Sequence, residues 1–177
     1  MNSKISPDPI RVRAERDADR EPIRRLNVAA FPTPAESLLV DRLREGGKLA
    51  LSLVAEQDGE ILGHIAFSAV ALSSGGAPLR GFGIGPMAVR PARQKHGIGT
   101  LLVHEGLARC RAAGLDYVVV LGHPRYYPRF GFEPASRFAL RCAWPVPDGV
   151  FMAMELRHGA LDGRSGLVEY EAEFNQV

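Results

Sequence analysis

Little in this chain could staple or anchor it from outside a core. Cys110 and Cys142 are the two cysteines in 177 residues, 32 positions apart and with no CxxC pair. Neither a disulfide framework nor a cysteine-built metal site is expected, and both thiols read as free. The five histidines are scattered, and the fifth residue counted from His104 is Ala108, so the His-Glu pair at 104–105 is no zinc motif. No metal is expected. Long apolar runs are missing as well. The longest, Ile61 to Leu72, is interrupted by His64 and Ser68 and is far too short to span a bilayer. Met1 to Pro9 carry Lys4 and Asp8 but no apolar block, so no signal peptide is expected and the default address is cytoplasmic. An excess of one charge is absent too: 22 Lys and Arg face 20 Asp and Glu, a net +2, with no run of five like charges. No nucleic-acid surface and no membrane association is expected.

What is present is an ordinary globular balance, 46% hydrophobic and 24% charged, enough to bury a core at this length without metal or disulfide. One domain over residues 10–177 is expected, behind a flexible N-terminus of residues 1–9. Ile10 to Arg13 alternates apolar and charged residues, the pattern of a half-solvated strand. Ile23, Leu26 and Ala30 recur at helical spacing within Asp17 to Ala30. Phe31-Pro32-Thr33-Pro34 breaks that helix, and Thr33-Pro34-Ala35-Glu36 reads as a capping box opening a second, to about Arg44. Leu49 to Glu56 and Glu60 to Leu72 flank the turn signal Gln57-Asp58-Gly59 as a hairpin, and Leu79 to Val89 resumes as a third strand. Ile98 to Ala112 is helical and Gly114 stops it. The β-branched run ending at Leu121 marks a strand buried on both faces. A short helix at Tyr126 to Phe130 and strands near Ala139, Phe151 to Leu156 and Leu167 to Tyr170 complete an α/β arrangement around a mixed sheet. Three consecutive strands without intervening helices exclude a doubly wound nucleotide fold.

The most informative segment joins the strand ending at Val89 to the helix beginning near Gly99. Glycines at a helix entrance let backbone N–H groups point outward together, and the helix dipole favours an anion there. Arg93 and Lys95 add positive charge. The ATP loop would need lysine and a hydroxyl residue after its last glycine, and the dinucleotide fingerprint a third glycine where Leu102 stands, so neither fits. Gly81-Phe82-Gly83-Ile84-Gly85 is read as strand, bulged or closely approached by another backbone. On the glycines alone, a phosphate nest and a plain helix entrance both remain open.

Gln94-Lys95-His96-Gly97-Ile98-Gly99 resembles the Q/R-x-x-G-x-G/A signature of the GNAT acetyltransferase superfamily. Tyr127-Pro128-Arg129-Phe130-Gly131-Phe132 resembles its second signature, a tyrosine four residues before Gly-Phe. The resemblance extends over about Ile10 to Leu156, and Leu121-Gly122-His123-Pro124 with Gly166 to Tyr170 is most similar to the YhbS-like branch. It implies a mixed, mainly antiparallel twisted sheet flanked by helices, with the fourth and fifth strands splayed. It implies acetyl-coenzyme A as acyl donor. The pyrophosphate would lie on the main chain of Gln94, Lys95, His96, Gly97, Ile98, Gly99 and Thr100. The pantetheine arm would lie along Met87, Ala88 and Val89, where a main-chain N–H would polarise the thioester.

The resemblance makes Tyr127 the general acid, its other reading being packing under Phe130 and Phe132. Some family members carry a strand-four glutamate as base; the matching position here is Gly83, which leaves His123, His64 or water. Cys142 as an acyl-carrying nucleophile lacks a histidine partner near it in sequence and reads as a buried thiol. The helices of Asp17 to Arg44 are implied to edge the acceptor pocket. The expected activity is acetyl transfer to a primary amine, of a small molecule or a protein, by direct attack in a ternary complex. The alternatives are a non-catalytic acyl-coenzyme A sensor of the same fold, and generic nucleotide binding. A homodimer through an edge at Leu167 to Tyr170 is a further expectation.

Overall fold

A computed structural model describes residues 8–176. The expected flexible N-terminus falls mostly outside the described residues; of its last two, Asp8 is tied to the β-hairpin turn, its N–H donating to Asp58 Oδ1 (3.1 Å) and its C=O accepting from Gln57 Nε2 (2.6 Å). The elements are β1 (Arg11–Ala14), α1 (Arg20–Ala30), α2 (Ala35–Glu45), β2 (Leu49–Gln57), β3 (Glu60–Ser73), β4 (Gly81–Val89), α3 (Ile98–Ala112), β5 (Tyr117–Leu121), β6 (Glu133–Pro134), β7 (Leu140–Cys142), β8 (Phe151–Glu155) and β9 (Gly166–Glu169).

The main sheet runs β1-β2-β3-β4-β5-β8-β6, and β9 joins β3 to β7 at its far end. Within the main sheet only β4 and β5 pair in parallel, and α3 makes the crossover that a parallel pair requires. The period of two sorts β5 onto two cores. Val118 and Val120 face α3 through Leu102, Val103 and Leu107, whereas Tyr117 and Val119 face Leu140, Phe151 and Val168. With both faces covered, the strand is apolar throughout, as its unbroken run implied. A third cluster, Ile23, Leu26 and Val40 on Val54, Ala66 and Ala88, seats α1 and α2 on the side of the sheet opposite α3.

Two expectations are corrected by this topology. Leu167 and Val168 have strand partners on both sides, β3 and β7, so β9 presents no free edge at those two residues. The glycine-rich segment is strand with a bulge at Gly85, as read, but its glycines are approached by aromatic side chains and not by backbone. A Cβ added at Gly81 would stand 2.2 Å from Tyr117, at Gly83 2.4 Å from Tyr170 and at Gly85 3.5 Å from Phe174.

The feature that positions everything else is the parting of β4 from β5. They pair only over Gly81–Ile84 with Tyr117–Val120. Gly85 and Pro86 then face the single residue Ala66 on β3, a bulge that bends β4 away. From Gly85 to Val89 the β5 side of the strand has no partner strand among the described residues.

Candidate active site

The open edge of β4 has a definite chemical face. Arg90 N–H donates to Leu62 C=O (2.9 Å), which sets the alternation of the antiparallel ladder. Ala88, two residues earlier and opposite His64, therefore spends its main-chain groups on β3. Met87 and Val89 turn theirs outward. Gln94 Nε2 reaches the Val89 C=O at 3.2 Å, leaving the Val89 N–H and both Met87 groups for a ligand. Ala88 is thus a correction to the expected set of three: its side chain is buried under α1, and its main chain faces the wrong way.

Beyond Val89 the chain makes a tight nest. Lys95 and Gly97 both have positive φ, 65° and 84°, the second a conformation that glycine adopts without strain. Gly97 N-caps α3, and no side chain caps the first turn, so that the N–H groups of Ile98, Gly99 and Thr100 point into the cleft. A cavity of about 600 Å³ lies over them, lined by Met87, Val89, Gln94, Lys95, Gly97 and Ile98 to Thr100. His96 alone of the expected nest residues does not line it; its Nδ1–H donates to Gln94 C=O (2.7 Å). Arg93 is also directed elsewhere, donating to Gln57 Oε1 (2.7 Å).

Two residues that the sequence reading left out complete the wall. Tyr126 and Arg129 both line this cavity. The guanidinium of Arg129 lies 4.5 Å over the Tyr126 ring, and its Nε donates to Tyr126 C=O (2.9 Å). The Tyr126 hydroxyl stands over Gly99, where an added Cβ would approach it to 2.6 Å. The sequence signal was available in Tyr126-Tyr127-Pro128-Arg129, but only the fold brings that turn back over α3.

A second cavity, about 740 Å³, adjoins the first and shares Met87, Gln94, Lys95 and Tyr126 with it. It continues along Gly85 and Pro86 to Tyr127. Tyr127 is buried, its ring lying against Gly122 and edge-on to Phe132 at 5.6 Å between centroids. Burial, then Tyr126, pushes its hydroxyl pKa well above the usual tyrosine value, so it is a neutral donor across the working pH range. The packing reading of Tyr127 describes its ring, and the residue also lines the cleft.

The base candidates separate. His123 lines the second cavity, in the turn whose C=O accepts from the Tyr126 and Tyr127 N–H groups (2.9 and 3.4 Å). His64 is fully buried beneath α1, Nε2 against Ser52 Oγ (2.9 Å) and Nδ1 against Asn27 Nδ2 (3.4 Å). Burial lowers its pKa to about 4, and it lines neither cavity. Cys142 donates to Trp144 C=O (3.1 Å) in a separate hollow that no histidine lines.

Glu36 is the larger surprise. The capping box does not form: Ala35 N–H reaches Thr33 Oγ1 at 3.4 Å, but no side chain caps α2. Glu36 instead lines the second cavity, with Oε2 buried and unpaired among the described residues. Phe31, at the end of α1, and Leu39, on α2, line the same cavity. The far wall comes from the chain's end, Tyr170 and Phe174. That segment is held to α2 and the start of β2 by Arg42 on Gln176 C=O (2.8 Å) and by Lys48 on Glu171 and Glu173 (3.2 and 3.0 Å).

A nest at a helix entrance, a strand edge freed by splaying and a tyrosine at its end share one cleft, and residues 11–135 match the acetyltransferase (GNAT) domain. The chain belongs to the GNAT acetyltransferase family, a class of acyltransferases. It is 41% identical over 166 residues to the uncharacterized N-acetyltransferase YhbS of Escherichia coli (strain K12), covering 93% of this chain and 98% of that one. The crystal structure of Escherichia coli YhbS in complex with CoA superposes with a TM-score of 0.90 over 95% of this chain and 94% of that one. A GNAT family acetyltransferase from Brucella melitensis, in complex with acetyl-CoA, is 40% identical with a TM-score of 0.77, covering 94% of this chain and 98% of that one.

No group of three or more His, Cys, Asp or Glu among the described residues could hold a metal ion. No helix among them is long and apolar enough to cross a membrane.

Proposed function

We propose that residues 10–177 act as one acetyltransferase domain that moves the acetyl group of acetyl-coenzyme A onto a primary amine by direct attack in a ternary complex. The observation that carries this reading is the continuous path from the nest, along the outward-facing main chain of Met87 and Val89, to Tyr127. The cleft fits the donor chemically. Four elements would receive it: the N–H groups of Ile98, Gly99 and Thr100 with Lys95 and Arg129 for pyrophosphate, and the Met87 and Val89 edge for the amides of the arm.

In this reading the free N–H at Met87 or Val89 receives the thioester oxygen as negative charge develops on it. Tyr127 gives its proton to the departing sulfur, which helps without being indispensable, since a thiol has a pKa of about 8.5. With His64 walled off, water in the cleft and His123 at its rim are the groups left to take the proton of the ammonium.

Thermal melting with acetyl-coenzyme A, coenzyme A and ATP tests the binding half. At about a hundred times the dissociation constant a true ligand stabilises by roughly 2.7 kcal/mol, and both coenzyme A species, but not ATP, should raise the melting temperature. Thiol release with a panel of primary amines tests the chemistry. Binding without thiol release from any amine would make the protein a sensor of acyl-coenzyme A.

A further inference from the structure

We infer that Glu36 is the group that receives the acceptor's ammonium, and that the acceptor is an amine with an apolar, ring-sized body and no acid group of its own. This rests on the acetyl-transfer reading of the same cleft and adds a specificity-determining residue to it.

Three observations converge. First, Glu36 is the only carboxylate lining the second cavity, and its Oε2 is buried without a hydrogen-bond partner among the described residues. A carboxylate oxygen removed from water and left unpaired is costly unless a ligand completes it. Second, Tyr170 lines the same cavity with its ring 5.0 Å from that of Phe174 between centroids, and aromatic rings on a cavity wall suit an organic cation. Third, Phe31, Leu39 and Phe174 make the neighbouring wall apolar, a surface suited to a hydrocarbon or aromatic body and not to a sugar or an amino acid backbone.

Tyr170 reaches this position because Gly83 has no side chain. Where a strand-four glutamate would project from β4, this chain carries an aromatic ring, and the negative charge enters the cavity from α2 instead. An acceptor carboxylate would meet Glu36 as a like charge, while Lys95, the cation that also lines this cavity, is taken up by the pyrophosphate in the same reading, so amino acids are disfavoured against amines of the same body.

The test uses the full chain saturated with coenzyme A, and titrates 2-phenylethylamine, 4-phenylbutylamine and n-hexylamine by calorimetry, with L-phenylalanine as the acid-bearing counterpart. Binding of at least one amine and weaker binding of L-phenylalanine are expected. Glu36→Gln should weaken amine binding about tenfold to a hundredfold, the size of a lost charge-assisted hydrogen bond, with the coenzyme A melting shift unchanged. Amine binding equal in Glu36→Gln and the parent overturns the inference. So does L-phenylalanine binding as well as 2-phenylethylamine, or none of the three amines binding at millimolar concentration. Glu36-dependent amine binding without thiol release would leave the inference standing and remove the acetyl-transfer reading.

Discussion

Tyr170 lies across Gly83 so closely that a Cβ on the glycine would stand 2.4 Å from Tyr170 Cε1. The contact joins the end of the chain to the middle of β4 and forms the floor of the second cavity. Gly83→Ala should therefore overpack the site and cost about 1–3 kcal/mol, read as a fall of several degrees in melting temperature. In the double variant with Tyr170→Ala, the glycine substitution should cost little, since the ring it strikes is gone. Losses that simply add would mean the two residues are not in contact.

Tyr127→Phe removes a hydroxyl and keeps the ring that packs on Gly122 and Phe132. Turnover should fall by about ten- to a hundredfold, while the coenzyme A melting shift and the stability barely change. Because burial holds the phenol above its usual pKa, ionisation of Tyr127 should not limit the parent rate below about pH 10. Unchanged turnover in the variant would take Tyr127 out of the mechanism.

Gly97 holds φ at 84° as N-cap of α3. Gly97→Val forces a β-branched residue into the left-handed region, at a cost of about 1–2 kcal/mol, and turns the nest N–H groups off their common target. The melting shift from coenzyme A should shrink markedly, by more than the loss of intrinsic stability explains. An undiminished shift would show that α3's entrance is not where the pyrophosphate binds.

His64 gives a prediction about pH and not about turnover. Burial, opposed by Glu15 and reinforced by Arg44, lowers its pKa from 6.5 to about 4. Between those values the unfolded chain takes up a proton that the folded chain refuses. Stability is accordingly full above about pH 6.5 and declines as the pH falls through the window, by up to ~1.4 kcal/mol per unit. Urea unfolding at a series of pH values should show this slope, and His64→Gln should flatten it. Equal slopes in the two proteins would place the imidazole in solvent, against its burial here.

The sequence alone determined the order of the elements, the glycine nest and the position of Tyr127, because these depend on residues near one another in the chain. Period-two and helical patterns report which face of an element is buried, and Asp58-Gly59 makes its hairpin turn wherever it stands. Two local patterns misled for the same reason. Thr33-Pro34-Ala35-Glu36 has the form of a capping box, but the glutamate faces a cavity whose other wall comes from the chain's last residues. Gly81 and Gly83 of β4 look like a backbone device, and their reason is two aromatic rings, Tyr117 of β5 and Tyr170 of the C-terminal segment.

Only the tertiary structure could decide these points. It also decided that Met87 and Val89, and not Ala88, carry the free edge, since that depends on the register with β3. It buried His64 under α1, brought Arg129 back over the nest and closed β9 between two neighbours. Each is a pairing across a large sequence separation. The chain's local chemistry permits such pairings but does not select them; packing both faces of one twisted sheet at once does.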